Sequence, residues 1–141
     1  MSVVIDASVI IAVVVADERQ DAARALLEGW LEAGEGLHAP AVLPYEVANV
    51  LGRLVFDGAL EIDEVKDIWD DLAAVGLVLH PFDLAEDGPE VAAVTARLRR
   101  RHATDSTYVC LARRLGTVVW TLDRALVRNA FDLGLPVQLV S

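Results

Sequence analysis

The sequence has few of the residues that cross-link secreted domains or bind zinc. Cysteine occurs once, as Cys110, so an internal disulfide is excluded and a reducing compartment is favoured. Histidine occurs three times, at widely separated positions, which makes a zinc site improbable. We expect Cys110 to be a small buried side chain on a helix.

A membrane-spanning hydrophobic run is also missing. The apolar stretch at residues 3–16 spans 14 residues and includes Asp6, whereas a membrane span needs about 20 apolar residues. The first residues carry no positively charged side chain that would begin a signal peptide. These features predict a cytoplasmic protein with no membrane contact.

Apolar residues are abundant instead. They make up 55% of the 141 residues, and the mean hydropathy is +0.42. A chain of this length and composition can bury a full core and still leave apolar surface for a partner. We therefore expect one domain that covers residues 1–141.

The net charge of −10 argues at first against a nucleic-acid partner, but the charges are unevenly distributed. Residues 1–90 hold 19 of the 22 acidic side chains, and residues 91–141 hold eight of the twelve basic ones. All eight are arginines, which suit bidentate contact with phosphate. Either this basic third attracts a polyanion, with Arg100, Arg101 and Arg124 as candidate phosphate contacts, or its arginines lie on solvated helix faces.

Short apolar strands alternate with helices along the whole chain, and no repeat or linker interrupts them. We predict strands at residues 3–6, 37–39, 77–80, 118–121 and 137–140. We predict helices at residues 8–16, with Ser8 as the cap, from 17 to 34 or 36, from 40 or 44 to 57, at 61–74 and 89–101, from 104 or 105 to 115, and at 123–133. This alternation is typical of a parallel sheet covered by helices on both faces. In such folds ligands bind at the carboxyl ends of the strands.

Four isolated acids occupy positions that normally hold apolar or neutral residues. Asp6 and Asp123 follow predicted strands, and Glu46 and Asp105 lie on predicted inward faces of helices. Each acid has an ordinary alternative interpretation, because the three aspartates suit helix N-caps and Glu46 suits the edge of an apolar stripe. Unpaired buried carboxylates are costly, so four that converge indicate a bound cation.

The ligand type indicates which cation and which chemistry. Several carboxylates with room for water suit Mg²⁺ or Mn²⁺. Such an ion neutralises a phosphate oxygen and lowers the pKa of a bound water. Without the ion the acids repel one another, and some carboxylate pKa values are expected to rise. The predicted reaction is hydrolysis of a phosphodiester.

The chain resembles the PIN-domain nucleases in four segments, each of which contains one of these acids. The segments are VIDAS at residues 4–8, LPYEVANVL at 43–51, ATDSTYV at 103–109 and TLD at 121–123. Chain length and spacing are similar to those of the VapC toxins of toxin–antitoxin pairs. One difference is the Ser106-Thr107 pair, which stands where the family often has small apolar residues.

The resemblance implies a three-layer α/β fold with a five-stranded parallel sheet between helices. It implies an endoribonuclease that depends on Mg²⁺ or Mn²⁺ and acts on RNA of the tRNA or rRNA class. Asp6 and Asp105 would be the principal metal ligands, Glu46 and Asp123 would complete the acidic site, and Ser8 and Thr121 would support it through hydrogen bonds. It also implies a homodimer and a cognate VapB-like antitoxin that covers an apolar groove, which the first helices would supply.

Two other classes of function remain open from the residues alone. A catalytically silent PIN-like interaction module would keep the fold and lose the chemistry. A phospho-acceptor signalling domain also has clustered acids on a small α/β fold, but it needs a distal lysine. The only lysine is Lys66, on a helix with an acidic exposed face.

Overall fold

The computed structural model describes all of residues 1–141 as five strands and seven helices. The strands form one sheet in the order β3-β2-β1-β4-β5, and every neighbouring pair is parallel. The predicted α/β class and the five-stranded parallel sheet are confirmed. The elements are β1 Ser2–Ile5, α1 Ala7–Val14, α2 Gln20–Glu32, β2 Gly36–Pro40, α3 Leu43–Phe56, α4 Ile62–Val75, β3 Val78–His80, α5 Asp87–Leu98, α6 Thr104–Leu115, β4 Val119–Thr121, α7 Arg124–Asp132 and β5 Val137–Leu139.

The strand order reverses its direction between β1 and β4. From β1 the chain moves outward through β2 to β3, then returns across the sheet to β4 and continues to β5. Right-handed crossovers then place α1 to α4 on one face and α5 to α7 on the other. The contacts between helices agree with this placement on two faces, because α1 packs on α2 and α3, and α5 packs on α6 and α7. The carboxyl ends of β1 and β4 thus form the crevice where open α/β sheets bind ligands.

The core is continuous across the sheet because β1 is covered on both faces. Val4 and Ile5 are fully buried, as expected of a β-branched run in a central parallel strand. A smaller cluster joins α5, α6 and α7 and includes Cys110. Burial raises the pKa of this thiol to about 11, with the charge of Glu90 adding to the effect. The cysteine is a buried helix residue, as predicted.

The apolar stretch at residues 3–16 is divided between β1 and α1. None of the seven helices combines the length and the apolar character that crossing a membrane requires. Asp6 is the N-cap of α1 by its backbone position, although its side chain makes no capping hydrogen bond. The expectation that Ser8 caps this helix is therefore wrong, since Ser8 lies within its first turn.

Helix α5 differs from its predicted bounds at both ends. It begins at Asp87, because Pro89 is tolerated in the first turn, where its missing N–H would have no partner in the helix. It ends at Leu98, three residues before the predicted end at Arg101, because Arg99 adopts the left-handed conformation with φ of 55°. No glycine follows Leu98 to mark the end of the helix, so the sequence predicts a helix that continues to Arg101.

Candidate active site

Asp6 lies at the carboxyl end of β1, and its side chain is buried. The hydroxyl groups of Ser8 and Thr121 both donate hydrogen bonds to its Oδ2 atom, at 2.6 Å and 2.8 Å. Burial raises the pKa of Asp6, and these two hydrogen bonds partly oppose the rise. Neutral donors hold this carboxylate and no salt bridge involves it, so its charge remains available to a cation.

The same two hydroxyl groups connect β4 to the start of α1. The backbone N–H of Leu122 donates to Oγ of Ser8 at 3.0 Å, and that of Asp123 donates to Oγ1 of Thr121 at 3.1 Å. Thr121 is fully buried at the end of β4. The hydrogen bonds that the resemblance implied for Ser8 and Thr121 are present, and they fix the geometry around Asp6. Their importance for activity stays a prediction.

Asp123 combines a capping role with a second contact. Its Oδ1 atom accepts a hydrogen bond from the backbone N–H of Leu126 at 3.0 Å, so it is the N-cap of α7. Its Oδ2 atom lies 3.6 Å from Nη2 of Arg100. The N-cap interpretation of Asp123 is thus correct, and it leaves one oxygen for an electrostatic partner.

Asp105 lies in the first turn of α6, where Ala103 and not Asp105 or Thr104 is the N-cap. Its Oδ2 atom is 3.4 Å from Nε of Arg100. Burial is the largest cause of the raised pKa of Asp105, and the charge of Asp6 adds to it. The positive charge of Arg100 acts in the opposite direction.

Glu46 lies in the first turn of α3 and is partly buried, as the apolar stripe predicts. Burial raises the pKa of Glu46 to about 7. The hydroxyl group of Tyr108 opposes this by donating a hydrogen bond of 2.7 Å to Oε1, and the charges of Asp6 and Asp105 add to the rise. Glu46 is therefore within electrostatic reach of acids from two other elements.

The fold brings all four predicted acids to one edge of the sheet. The charge of Asp6 raises the pKa values of Glu46 and Asp105, and the charge of Asp123 raises that of Asp105. Acids whose charges raise the pKa values of neighbouring acids are typical of a functional site, and Asp6 and Glu46 have no basic side chain paired with them.

The donor set fits a hard cation in its chemistry. All the candidate ligands are carboxylates, the type that Mg²⁺ and Mn²⁺ prefer. No group of three or more histidine, cysteine, aspartate or glutamate side chains is close enough to hold an ion together. This spacing is compatible with Mg²⁺, which usually keeps several waters and binds one or two carboxylates directly. Asp6 and Asp105 would be the direct ligands, while Glu46 and Asp123 would bind water.

An open groove of about 1160 Å³ is lined by Asp123 but by none of the other three acids of the site, and Asp17 and Glu18 also lie on its walls. Its walls include three arginines, namely Arg19, Arg124 and Arg128, of which Arg19 is paired with Asp17. Arg101, another predicted phosphate contact, is also exposed. Arg100, the third arginine in that prediction, is turned toward Asp105 and Asp123 instead. Contact with phosphate stays a prediction for Arg101 and Arg124.

Two contacts of the site escape inspection of the sequence. Tyr108 stands three residues after Asp105 on α6, so helical spacing alone puts it on the same face. Its partner, Glu46, is on a different helix, and only the packed structure joins them. The pairing of Arg100 with two of the acids depends on where α5 ends. No glycine marks that end, so the sequence gives no signal for the pairing.

A family model described as PIN domain matches residues 3–132. The chain belongs to the PIN domain family, which confirms the resemblance seen in the four acidic segments. The four acidic segments all lie within the matched residues.

Two curated relatives and one solved structure extend this comparison. The chain is 33% identical over 132 residues to a protein named Ribonuclease VapC3 from Pyrobaculum aerophilum, covering 92% of this chain and 95% of the relative. It is 34% identical over 127 residues to a Ribonuclease VapC3 from Mycobacterium tuberculosis, covering 89% and 85%. The crystal structure of PAE2754 from Pyrobaculum aerophilum superposes with a TM-score of 0.68 at 20% identity, covering 92% of this chain and 79% of that one, which supports the fold.

Proposed function

We propose that this protein is a metal-dependent endoribonuclease and the toxin of a toxin–antitoxin pair. The observation that carries the proposal is the convergence of Asp6, Glu46, Asp105 and Asp123 at the point where the strand order reverses. The relatives named Ribonuclease VapC3 align over most of the chain and support the same activity.

In this proposal the four acids divide three tasks among them. A bound Mg²⁺ or Mn²⁺ would supply positive charge for a phosphate oxygen and a water of lowered pKa. Asp6, held by Ser8 and Thr121, and Asp105 would bind the ion. Asp123 orients water from its capped position at the start of α7.

Glu46 suits proton transfer better than the other acids. In the metal-free protein its pKa is about 7, and a general base is most effective when its pKa lies near the working pH. Tyr108 keeps its proton because burial raises its pKa, so it remains a donor to Oε1. Glu46 can then receive a proton from the attacking water.

The substrate in this proposal is a folded RNA of the tRNA or rRNA class. Arg101 and Arg124 are exposed, and Arg124 lines the groove that Asp123 also lines. Arginines along such a groove can contact successive phosphates, which would offset the repulsion between RNA and a protein of net charge −10. Binding through these contacts weakens as salt rises.

The partners are a VapB-like antitoxin and a second copy of the chain. Large exposed apolar side chains support an interaction role, and they include Phe56, Leu84 and Phe131. An apolar recess of about 200 Å³ between α3, α4 and β3 is lined by Leu43, Trp69 and Leu79. This recess suits an antitoxin segment better than α1 does, because the inward residues of α1 are buried in the core.

A catalytically silent interaction module is the second candidate. The ion pairs of Arg100 with Asp105 and Asp123 favour it, because they neutralise part of the acidic set from within the chain. Asp6 and Glu46 form no such pair with a basic side chain, which favours the nuclease.

The deciding experiment is cleavage of total RNA by the purified protein with Mn²⁺ or Mg²⁺, with EDTA, and with Asp6→Asn. Asp21→Asn, an exposed aspartate on α2, is the matched control. Discrete fragments that require the ion, disappear with Asp6→Asn and persist with Asp21→Asn are expected. Full cleavage by Asp6→Asn would contradict the proposal, and an absence of both cleavage and ion binding would favour the silent module.

A further inference from the structure

The guanidinium group of Arg100 lies between two acids of the candidate site. Its Nε atom is 3.4 Å from Oδ2 of Asp105, and its Nη2 atom is 3.6 Å from Oδ2 of Asp123. Both nitrogens are buried, and neither makes a hydrogen bond. The attraction is therefore one of charge rather than of directed bonds, and it leaves two donors unsatisfied.

The backbone places Arg100 at this position. Beyond α5 the N–H of Arg99 donates to the carbonyl of Ala96, and the N–H of Arg100 donates to that of Thr95. These two bonds close the helix as a Schellman motif, with Arg99 in the left-handed conformation. The side chain of Arg100 then leaves the turn on the side of α6.

A second contact fixes the two helices in this arrangement. A hydrogen bond of 2.8 Å joins the hydroxyl groups of Thr95 and Ser106, and Ser106 is fully buried next to Asp105. The end of α5, which carries Arg100, is thus tied to the first turn of α6, which carries Asp105. The position of the guanidinium group follows from ordered backbone and buried contacts rather than from a freely moving surface side chain.

We propose that Arg100 is a resident counter-ion of the metal site, which competes with the divalent cation for Asp105 and Asp123. This inference rests on the proposed metal-dependent function. A positive charge within 4 Å of two of the four carboxylates repels an incoming cation and also keeps these acids together in its absence. Arg100 therefore lowers the affinity for the ion and stabilises the protein without it.

This role differs from contact with phosphate. The polar atoms of a phosphate-binding arginine face solvent before the substrate arrives, as the exposed Arg101 can provide. Nε and Nη2 of Arg100 are closed off from solvent and face carboxylates. Arg100 and Arg101 are adjacent and carry the same charge, so replacing either one by glutamine changes the net charge equally. A comparison of the two variants therefore separates the effect of the contacts of Arg100 from the effect of net charge.

The test is calorimetric titration of Mn²⁺ into the protein without RNA at low ionic strength. We expect Arg100→Gln to bind Mn²⁺ at least about fivefold more tightly than the parent, since typical coupling between two sites spans about 5-fold to 150-fold. We expect Arg101→Gln to change the affinity by less than about twofold, and Arg100→Lys, which keeps the charge, to bind more weakly than Arg100→Gln. In EDTA the melting temperature of Arg100→Gln falls, while that of Arg101→Gln does not.

A measurement on the unaltered protein covers the case in which Arg100→Gln fails to fold. Addition of Mg²⁺ is expected to shift the side-chain ¹⁵Nε resonance of Arg100 and to leave that of Arg101 in place. An unchanged Arg100 resonance at saturating Mg²⁺ overturns the inference, as does unchanged or weaker Mn²⁺ binding by folded Arg100→Gln.

The same experiment separates this inference from the function on which it rests. If the parent binds no Mn²⁺, both the metal-dependent function and the role of Arg100 fail. If the parent binds Mn²⁺, Asp6→Asn loses it, and Arg100→Gln matches the parent, the metal site stands and only the competition by Arg100 is refuted.

Discussion

The hydroxyl group of Tyr108 donates a hydrogen bond of 2.7 Å to Oε1 of Glu46, and this bond joins α6 to α3. Tyr108 is fully buried, so the bond lies in a region of low dielectric. It is the one hydrogen bond that lowers the raised pKa of Glu46. The two residues thus link the ionisation of the site to the packing of two helices.

Replacement of Tyr108 by phenylalanine should destabilise the protein, and more strongly at high pH. Phenylalanine preserves the packing but leaves Glu46 without its donor, a loss of about 1–2 kcal/mol in the free energy of unfolding. Above the pKa of Glu46 the lost bond is one to a charged carboxylate, which is worth more. Urea unfolding in EDTA at pH 5 and pH 8 measures both effects.

Tyr45→Phe is the matched control for this prediction. Tyr45 is on α3 beside Glu46, but its side chain is exposed. Its replacement should change the free energy of unfolding by less than about 0.5 kcal/mol at either pH. An equal effect of the two substitutions, or a loss from Tyr108→Phe that is independent of pH, would contradict the importance of the bond to Glu46.

The metal-free protein should lose stability as the pH rises from about 4 to about 7. The pKa values of Asp6, Glu46 and Asp105 are raised in the folded state, and that of Glu46 reaches about 7. Within this window the folded protein binds more protons than the unfolded chain does, so the free energy of unfolding falls with increasing pH. Urea unfolding in EDTA at several pH values gives the slope.

Glu46→Gln isolates one part of this dependence. Glutamine does not titrate, so the loss in the free energy of unfolding between pH 5 and pH 8 should be about 1 kcal/mol smaller in the variant than in the parent. The difference is limited to this size because solvent screens a partly buried group. The pKa of His80 is lowered by burial, and its titration has the opposite sign. Because the parent and the variant both contain His80, its contribution cancels when their free energies of unfolding are compared at each pH. A variant with the slope of the parent would refute the raised pKa of Glu46.

Thr121→Val should weaken ion binding through Asp6. Valine has the shape of threonine but donates no hydrogen bond, so Oδ2 of Asp6 loses one of its two hydroxyl partners. Residues that orient metal ligands typically contribute about 10-fold to 100-fold to ion affinity. We expect at least a tenfold weaker affinity for Mn²⁺ by calorimetry.

Thr117→Val provides the comparison for this effect. The hydroxyl group of Thr117 donates a hydrogen bond of 2.6 Å to the backbone carbonyl of Ser2, at the opposite end of β1 from Asp6. Its loss should cost about 1 kcal/mol of stability and leave Mn²⁺ affinity unchanged. Equal loss of affinity in both variants would mean that Thr121 acts through general stability and not through Asp6.

The sequence predicts the fold and the acids for a clear physical reason. Strand and helix periodicity and the positions of Asp6 and Asp123 after apolar strands are local signals, and a parallel sheet converts them into one shared edge. The contact between Tyr108 and Glu46 depends on how α6 packs against α3, which periodicity does not encode. Arg100 is predicted as a phosphate contact because it lies in the basic third, whereas its observed position depends on where α5 ends.

The end of α5 is itself open to test, because Arg99 and Gly116 occupy equivalent positions after two helices. Each donates its N–H to the carbonyl three residues earlier, and the following residue donates to the carbonyl five residues before it. The φ angles are 55° for Arg99 and 67° for Gly116, and only glycine adopts this region without strain.

Arg99→Gly should therefore stabilise the protein, by about 0.5 kcal/mol. Relief of about 1–2 kcal/mol of left-handed strain exceeds the entropy that glycine adds to the unfolded chain, which is about 0.4–1 kcal/mol. Gly116→Ala should have the opposite effect and lower the free energy of unfolding by about 1 kcal/mol. Urea unfolding of both variants measures the pair. A loss of stability in Arg99→Gly would show that the side chain of Arg99, and not its strained backbone, dominates at this turn.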